Sequence, residues 1–141
     1  MIHHEGTKDT KGTKDTKAFA LGVSEAVLGA AIEVHRELGP GLLESVYEMA
    51  LVRELWVRQV RVERQVPVDV AYKGAELDCQ IRIDVLVESS VIVEIKAVDE
   101  LAPIHRAQLL TYLKLTGCSV GLLLNFNSVL LKHGMRRILN G

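Results

Sequence analysis

The chain has 141 residues, 48% of them hydrophobic and 25% charged, and 17 Lys and Arg against 18 Asp and Glu give a formal net charge of −1. These figures exclude a disordered chain and leave no whole-molecule attraction to nucleic acid; an aromatic content of 4% argues against a broad base-stacking platform. The length fits one domain, or one domain and a tail, burying roughly two-thirds of its unfolded surface.

Cys79 and Cys118 lie far apart and no C-x-x-C pair occurs, which argues against structural zinc. A single disulfide stays open beside the simpler reading of two buried or half-buried thiols in a reducing compartment. No apolar run approaches the roughly 18 residues that would span a bilayer. The N-terminal Met-Ile-His-His-Glu-Gly lacks the apolar core of a signal peptide, so a cytoplasmic protein is expected.

Residues 6–11 read Gly-Thr-Lys-Asp-Thr-Lys and residues 12–17 repeat them. So polar a unit cannot build a core, and residues 1–17 are expected to be a disordered tail or a weak extension of another element. Its four lysines could touch phosphate or simply be solvated. Residues 18–141 then form a single domain. Val27, Leu28, Ala31, Ile32, His35 and Leu38 recur at helical spacing, with Ser24 as a candidate N-cap and Gly39-Pro40-Gly41 as the stop. A second helix runs from near Leu42 to near Arg58. The period then shifts to two: Val60 to Val70, Leu77 to Val85 and Val91 to Lys96 read as three strands in an antiparallel meander, turning at Lys73-Gly74 and Glu88-Ser89-Ser90. Pro103 opens a third helix that ends at Gly117, and Val120–Leu124 is a buried strand. The remaining residues, around His133-Gly134, read as a hairpin in preference to an amphipathic helix. The order predicts an α/β sandwich with a mixed sheet.

Chemistry concentrates between Asp84 and Lys96. Glu94 and Lys96 leave the same face of one strand, and Asp84 joins them only if an odd-numbered loop pairs residue 84 with residue 94. Two strand-borne carboxylates a few ångströms apart repel unless a cation sits between them, and hard oxygen donors suit Mg²⁺ or Mn²⁺. A lysine beside them can orient a water or offset charge growing in a transition state. The plainer alternative is a solvated sheet face with an Asp84–Lys96 ion pair. Gln108 and Tyr112 stand one turn apart on the following helix with His105 on the same stripe, placed either over the site or as ordinary surface and packing. Glu44 sits in the first turn of its helix, where the dipole favours an anion and where it could also face a metal. Tyr47 and His35 lie on apolar stripes and read first as core.

Gly41-x-x-Glu44-x-x-Tyr47, Asp84, Glu94-Ile-Lys96 and Gln108-x-x-x-Tyr112 together resemble the GxxExxY family of the PD-(D/E)xK nuclease superfamily, in its RecB-like Gln-x-x-x-Tyr branch. The resemblance spans roughly Ser24 to Asn140, with Ile83 in place of the Pro of the superfamily name. It implies a restriction-endonuclease-like core: a mixed sheet, made of a three-strand antiparallel meander plus a further strand, flanked by helices. It implies catalytic roles for Asp84, Glu94, Lys96, Glu44, Gln108 and Tyr112. Metal would be held by Asp84, Glu94 and Glu44, with His35 as the branch's early histidine. The implied activity is Mg²⁺- or Mn²⁺-dependent hydrolysis of phosphodiester bonds, in DNA ahead of RNA. Arg82, Arg106, Arg136 and Arg137 are the candidate nucleic-acid contacts, and the small size suggests a homodimer. The rival expectation is a nuclease-like binding or dimerisation module without catalysis, acting with a partner; near-neutral charge favours it and the intact acid-acid-lysine set opposes it.

Overall fold

The structure, a computed structural model, describes residues 10–141. It begins with helix α1 (Thr10–Leu38), 29 residues long. The second copy of the hexapeptide is therefore helical, because adding residues to a helix already anchored downstream avoids the cost of nucleation. Residues 1–9 of the expected tail lie outside the described residues. Ser24 is not an N-cap: it is buried in mid-helix, where its hydroxyl donates to the Leu21 carbonyl at 2.7 Å. Thr16–Leu38 is long and apolar enough to cross a membrane by length and composition, contrary to the expectation that no such run exists. Ala20, Val23, Val27, Ala30, Ala31 and Val34 form a buried stripe on that helix and pack into the core cluster on the sheet.

After Gly39–Gly41 come α2 (Glu44–Val57), β1 (Val62–Tyr72), β2 (Ala75–Val87), β3 (Val91–Lys96), α3 (Pro103–Thr116), β4 (Val120–Asn125) and β5 (Met135–Leu139). The five strands form one sheet in chain order, antiparallel throughout except for the parallel β3–β4 pair that α3 connects. The expected α/β architecture with a mixed sheet is thus present. Period-two alternation sorts its two faces. Val85, Val87, Val91, Val93, Ile95, Val120, Leu122 and Leu124 pack with α1 and α2, while Leu86, Ile92, Leu123 and Ile138 pack with Leu109 and Leu113 of α3. Helices on both faces explain why β3 and β4 carry almost unbroken apolar runs. At Gly121 a Cβ would come within 2.9 Å of the Leu109 side chain, so glycine sets how closely α3 approaches β4.

Two expectations fail in the periphery. The C-terminal hairpin does not form. Residues Leu131–Gly134 make a short 3₁₀ turn, and Met135–Leu139 returns to pair with β4. That pairing satisfies the open edge of a buried strand and places Ile138 in the α3-side core. Cys79 is exposed on β2, while Cys118 is a buried thiol whose pKa is raised by burial. Residues 71–80, at the outer end of the β1–β2 hairpin, are exposed throughout.

Candidate active site

The three-residue loop Glu88-Ser89-Ser90 sets the β2–β3 register, with Val87 opposite Val91, Leu86 opposite Ile92 and Val85 opposite Val93. The next position brings Asp84 opposite Glu94, as an odd-numbered loop requires. There the two strands stop exchanging backbone hydrogen bonds, and the carboxylates take over. The Asp84 N–H donates to Glu94 Oε2 at 3.0 Å, and the Ile95 N–H donates to Asp84 Oδ2 at 2.9 Å. Each acid therefore caps the strand that carries the other.

Glu94 is only 5% exposed. Burial, then the charge of Asp84, raises its pKa from an ordinary 4.5 to about 8, against the opposing pull of the Asp84 N–H and Lys96. Asp84 moves the same way, first through burial and then through the charges of Glu48 and Glu44, while the Ile95 N–H and Lys96 hold it down. Lys96 thus favours the ionised form of both acids. Tyr112 is raised by burial and by the charges of Glu94 and Asp84, and is lowered by a hydrogen bond with Gln108. The Gln108–Tyr112 pair is therefore brought to the carboxylates from α3, one turn apart. His105 is not: its Nδ1 accepts from the Ala102 N–H at 3.0 Å and caps the start of α3.

Helix α2 closes the other side. Gly39 and Gly41 take positive φ of 69° and 100°, which glycine adopts without a Cβ penalty. The buried Tyr47 fastens that turn: its hydroxyl donates to the Gly39 carbonyl at 2.5 Å and accepts from the Leu42 N–H at 3.1 Å, and its ring stacks on Phe126 at 4.7 Å. The turn delivers Glu44, whose Oε2 accepts from the Ala97 N–H at 3.1 Å, one residue past Lys96. The Gly-x-x-Glu-x-x-Tyr spacing is accounted for as turn, site carboxylate and fastener. Tyr47→Phe leaves the Leu42 N–H and Gly39 carbonyl without that partner and is expected to cost about 1–2 kcal/mol. Denaturant unfolding checks this as a lower midpoint at unchanged m-value.

Glu48 was not among the expected site residues, yet its charge acts on both Asp84 and Glu94. It is 6% exposed and accepts from Arg64 Nε at 2.8 Å and from Gln65 Nε2 at 2.9 and 3.0 Å. The signal was available: Glu48 is four residues after Glu44, between the buried Tyr47 and Leu51, where a glutamate needs partners. Gln65 has φ of 54°, a left-handed conformation that costs a non-glycine residue about 1–3 kcal/mol. Asn125, also unforeseen, is buried and brackets Val98, accepting from its N–H at 3.1 Å and donating to its carbonyl at 2.9 Å. This holds the chain that leaves Lys96.

His35 lies in the last turn of α1. Its Nε2 is hydrogen-bonded to the Ser128 carbonyl at 2.7 Å and its ring lies tilted against Phe126, so it ties α1 to the segment after β4. Arg136 lies in one row with Glu94 and Leu123 across the sheet and shares the site's face. Strand alternation sends Arg137 to the opposite face, where it bonds Ser24 and Glu25. Arg106 is exposed on α3, and Arg82 donates to the Gln65 carbonyl at 3.1 Å.

Among the described residues no three His, Cys, Asp or Glu side chains form a ready metal cluster. The chemistry of the donors nevertheless fits a hard divalent cation. Asp84 and Glu94 are adjacent carboxylates, Asp84 half-buried and Glu94 buried, whose ionisation is opposed first by burial and which offer hard oxygen donors.

The chain resembles the crystal structure of SSO0001 at 21% identity and a TM-score of 0.51, covering 68% of this chain and 49% of that one. It therefore spans about half the length of SSO0001, and the likeness supports the fold alone. No curated protein matches. A family model described as PD-(D/E)XK nuclease superfamily matches residues 22–138, from α1 to β5 and across every residue of the Asp84–Glu94 site. The chain belongs to the PD-(D/E)XK nuclease superfamily.

Proposed function

We propose that this chain is a metal-dependent nuclease of the GxxExxY type that hydrolyses phosphodiester bonds of DNA. One observation carries the reading: Asp84 and Glu94 meet where β2 and β3 part, with Lys96 following on the same face and the Gln108–Tyr112 pair over them. Asp84 and Glu94 would hold Mg²⁺ or Mn²⁺, with Glu44 at the rim, and the ion when bound supplies Lewis-acid polarisation of the scissile phosphate.

The protein's own groups do the rest. The Lys96 ammonium donates to the attacking water, orients it, and offsets charge gathering on the phosphoryl oxygens. The Gln108 amide and Tyr112 hydroxyl hydrogen-bond the phosphate. Arg136, on the face of Glu94, and Arg106 attract the flanking backbone. With 17 Lys and Arg offset by 18 Asp and Glu, metal-free binding is weak and falls steeply with salt. A homodimer would enlarge the contact surface.

The test incubates the protein with single-stranded DNA, duplex DNA and RNA in Mg²⁺, Mn²⁺ or EDTA. Cleavage of DNA that requires the cation is the expected result. No cleavage of any substrate, together with no saturable Mn²⁺ binding, would overturn the reading and favour a non-catalytic module.

A further inference from the structure

Asp84 occupies an unusual place in the sheet. On one side its hydrogen-bonding with β3 is diverted to side chains, as described above. On the other, Arg64 pairs with Val85 and Val66 with Ile83, so the residue facing Asp84 across β1–β2 is Gln65. That is the residue in the left-handed conformation, with φ of 54°. The ladder is therefore disturbed on both flanks of the same aspartate.

A left-handed position in a strand calls for glycine unless a side chain is needed there. The Gln65 side chain does have a task. Its amide nitrogen lies between both oxygens of Glu48, at 2.9 and 3.0 Å, and Arg64 takes Oε2 from the adjacent position at 2.8 Å. The Gln65 backbone carbonyl accepts from Arg82 at 3.1 Å. Helix α2 is thereby tied to β1 directly opposite Asp84. The same helix carries Glu44, which binds the Ala97 N–H beyond the end of β3. Through Glu48 and Glu44 the helix reaches from β1 to the end of β3, and the charges of both act on the Asp84 carboxylate.

We propose that Glu48 and Gln65 form a clamp that positions the Asp84 carboxylate, a role that rests on the nuclease reading for its purpose but not for its geometry. Neither residue touches substrate; both are positioning residues. The clamp keeps β1 from relaxing into a regular ladder with β2, which would turn the Asp84 backbone and draw its carboxylate away from Ile95 and from any cation held with Glu94.

The experiment uses Gln65→Gly, Glu48→Ala and the double variant, with metal-free hydrogen exchange of single amides as the first readout. Glycine keeps the left-handed turn and removes only the side-chain tie. Exchange at the Ile95 N–H, whose acceptor is Asp84 Oδ2, is expected to speed up by about tenfold or more in each single variant. The double variant should be no worse than the more affected single one, because the two residues act through one contact. The central amides of Val93 and Leu122 should keep their protection. Mn²⁺ affinity, measured by calorimetry, is expected to fall by about tenfold. Unchanged exchange at Ile95, or equal acceleration at Val93 and Leu122, would overturn the clamp, the latter by making the pair a general stability element. Wild-type protein that binds no Mn²⁺ would sink the nuclease reading, while the exchange result would still decide the geometry.

Discussion

Lys96→Ala is expected to abolish phosphodiester cleavage while leaving Mn²⁺ affinity within a few-fold of wild type, whereas Asp84→Ala loses both. The difference follows from where each group acts. Asp84 is one of two adjacent carboxylates whose ionisation burial opposes, so its removal takes away one of the two principal anionic ligands of the proposed cation. Lys96 acts on both carboxylates as a nearby cation. Its charge repels a divalent ion and also favours the ionised acids that bind one; the two effects oppose, and net affinity changes little. Its contribution to the chemical step has no such offset. Charge stabilisation and positioning worth several kcal/mol correspond to about 10³-fold in rate at 1.36 kcal/mol per decade. Single-turnover cleavage of duplex DNA alongside Mn²⁺ calorimetry measures the two quantities separately. Cleavage by Lys96→Ala within about tenfold of wild type would remove Lys96 from the chemistry. Asp84→Asn is the companion variant, since its amide oxygen can still accept from Ile95 and keep the strand end closed.

The parts of the fold legible in the sequence were those where a single physical pattern decides. Period-two alternation in Leu77–Val85 and Val91–Ile95 located both strands, and the Glu88-Ser89-Ser90 loop count fixed which faces meet. Pro103 and Gly117 bounded α3 because each has a positional meaning at a helix end. Ser24 misled because the same hydroxyl that caps a helix can bond back to a carbonyl inside one. Met135–Leu139 was misplaced because a short amphipathic segment chooses its partner by which edge is open, and that edge belongs to β4, ten residues earlier. In the site, Asp84, Glu94, Gln108 and Tyr112 were legible from strand parity and helix spacing. Glu48 was legible only as a glutamate among buried neighbours that needs partners. Which partners it takes depends on Gln65 adopting a left-handed turn 17 residues away, which nothing in the local sequence announces. What the sequence does not show for His35 and Arg137 is which structural partners each takes: His35 Nε2 bonds the Ser128 carbonyl, and an Arg137 guanidinium nitrogen bonds Glu25.

Glu94→Gln is expected to stabilise the metal-free protein at pH 8 while destroying its activity. The folded pKa of Glu94, about 8, lies above its ordinary value of 4.5, so the native state binds the proton more tightly than the unfolded chain does. The favourable contribution of that proton is complete below about pH 4.5 and is lost as pH rises to about 8. Asp84, also raised, adds to the same trend. One proton over that window is worth a few kcal/mol, of order 5–10 °C in Tm for a chain of this size. Wild-type Tm in EDTA should therefore fall between pH 5 and pH 8.5. Glutamine has no charge to bury and keeps an oxygen for the Asp84 N–H, so the variant's profile should be flatter and its Tm higher at pH 8. Mg²⁺ should raise the wild-type Tm by mass action, more at pH 8 than at pH 5.5, where protons compete for the same oxygens, and should do little for Glu94→Gln. A wild-type Tm in EDTA that does not vary from pH 5 to pH 8.5 would contradict the electrostatics on which the site rests. A gain in stability and a loss of activity from one uncharged substitution would mark Glu94 as placed for a cation, since the fold alone is better served by glutamine.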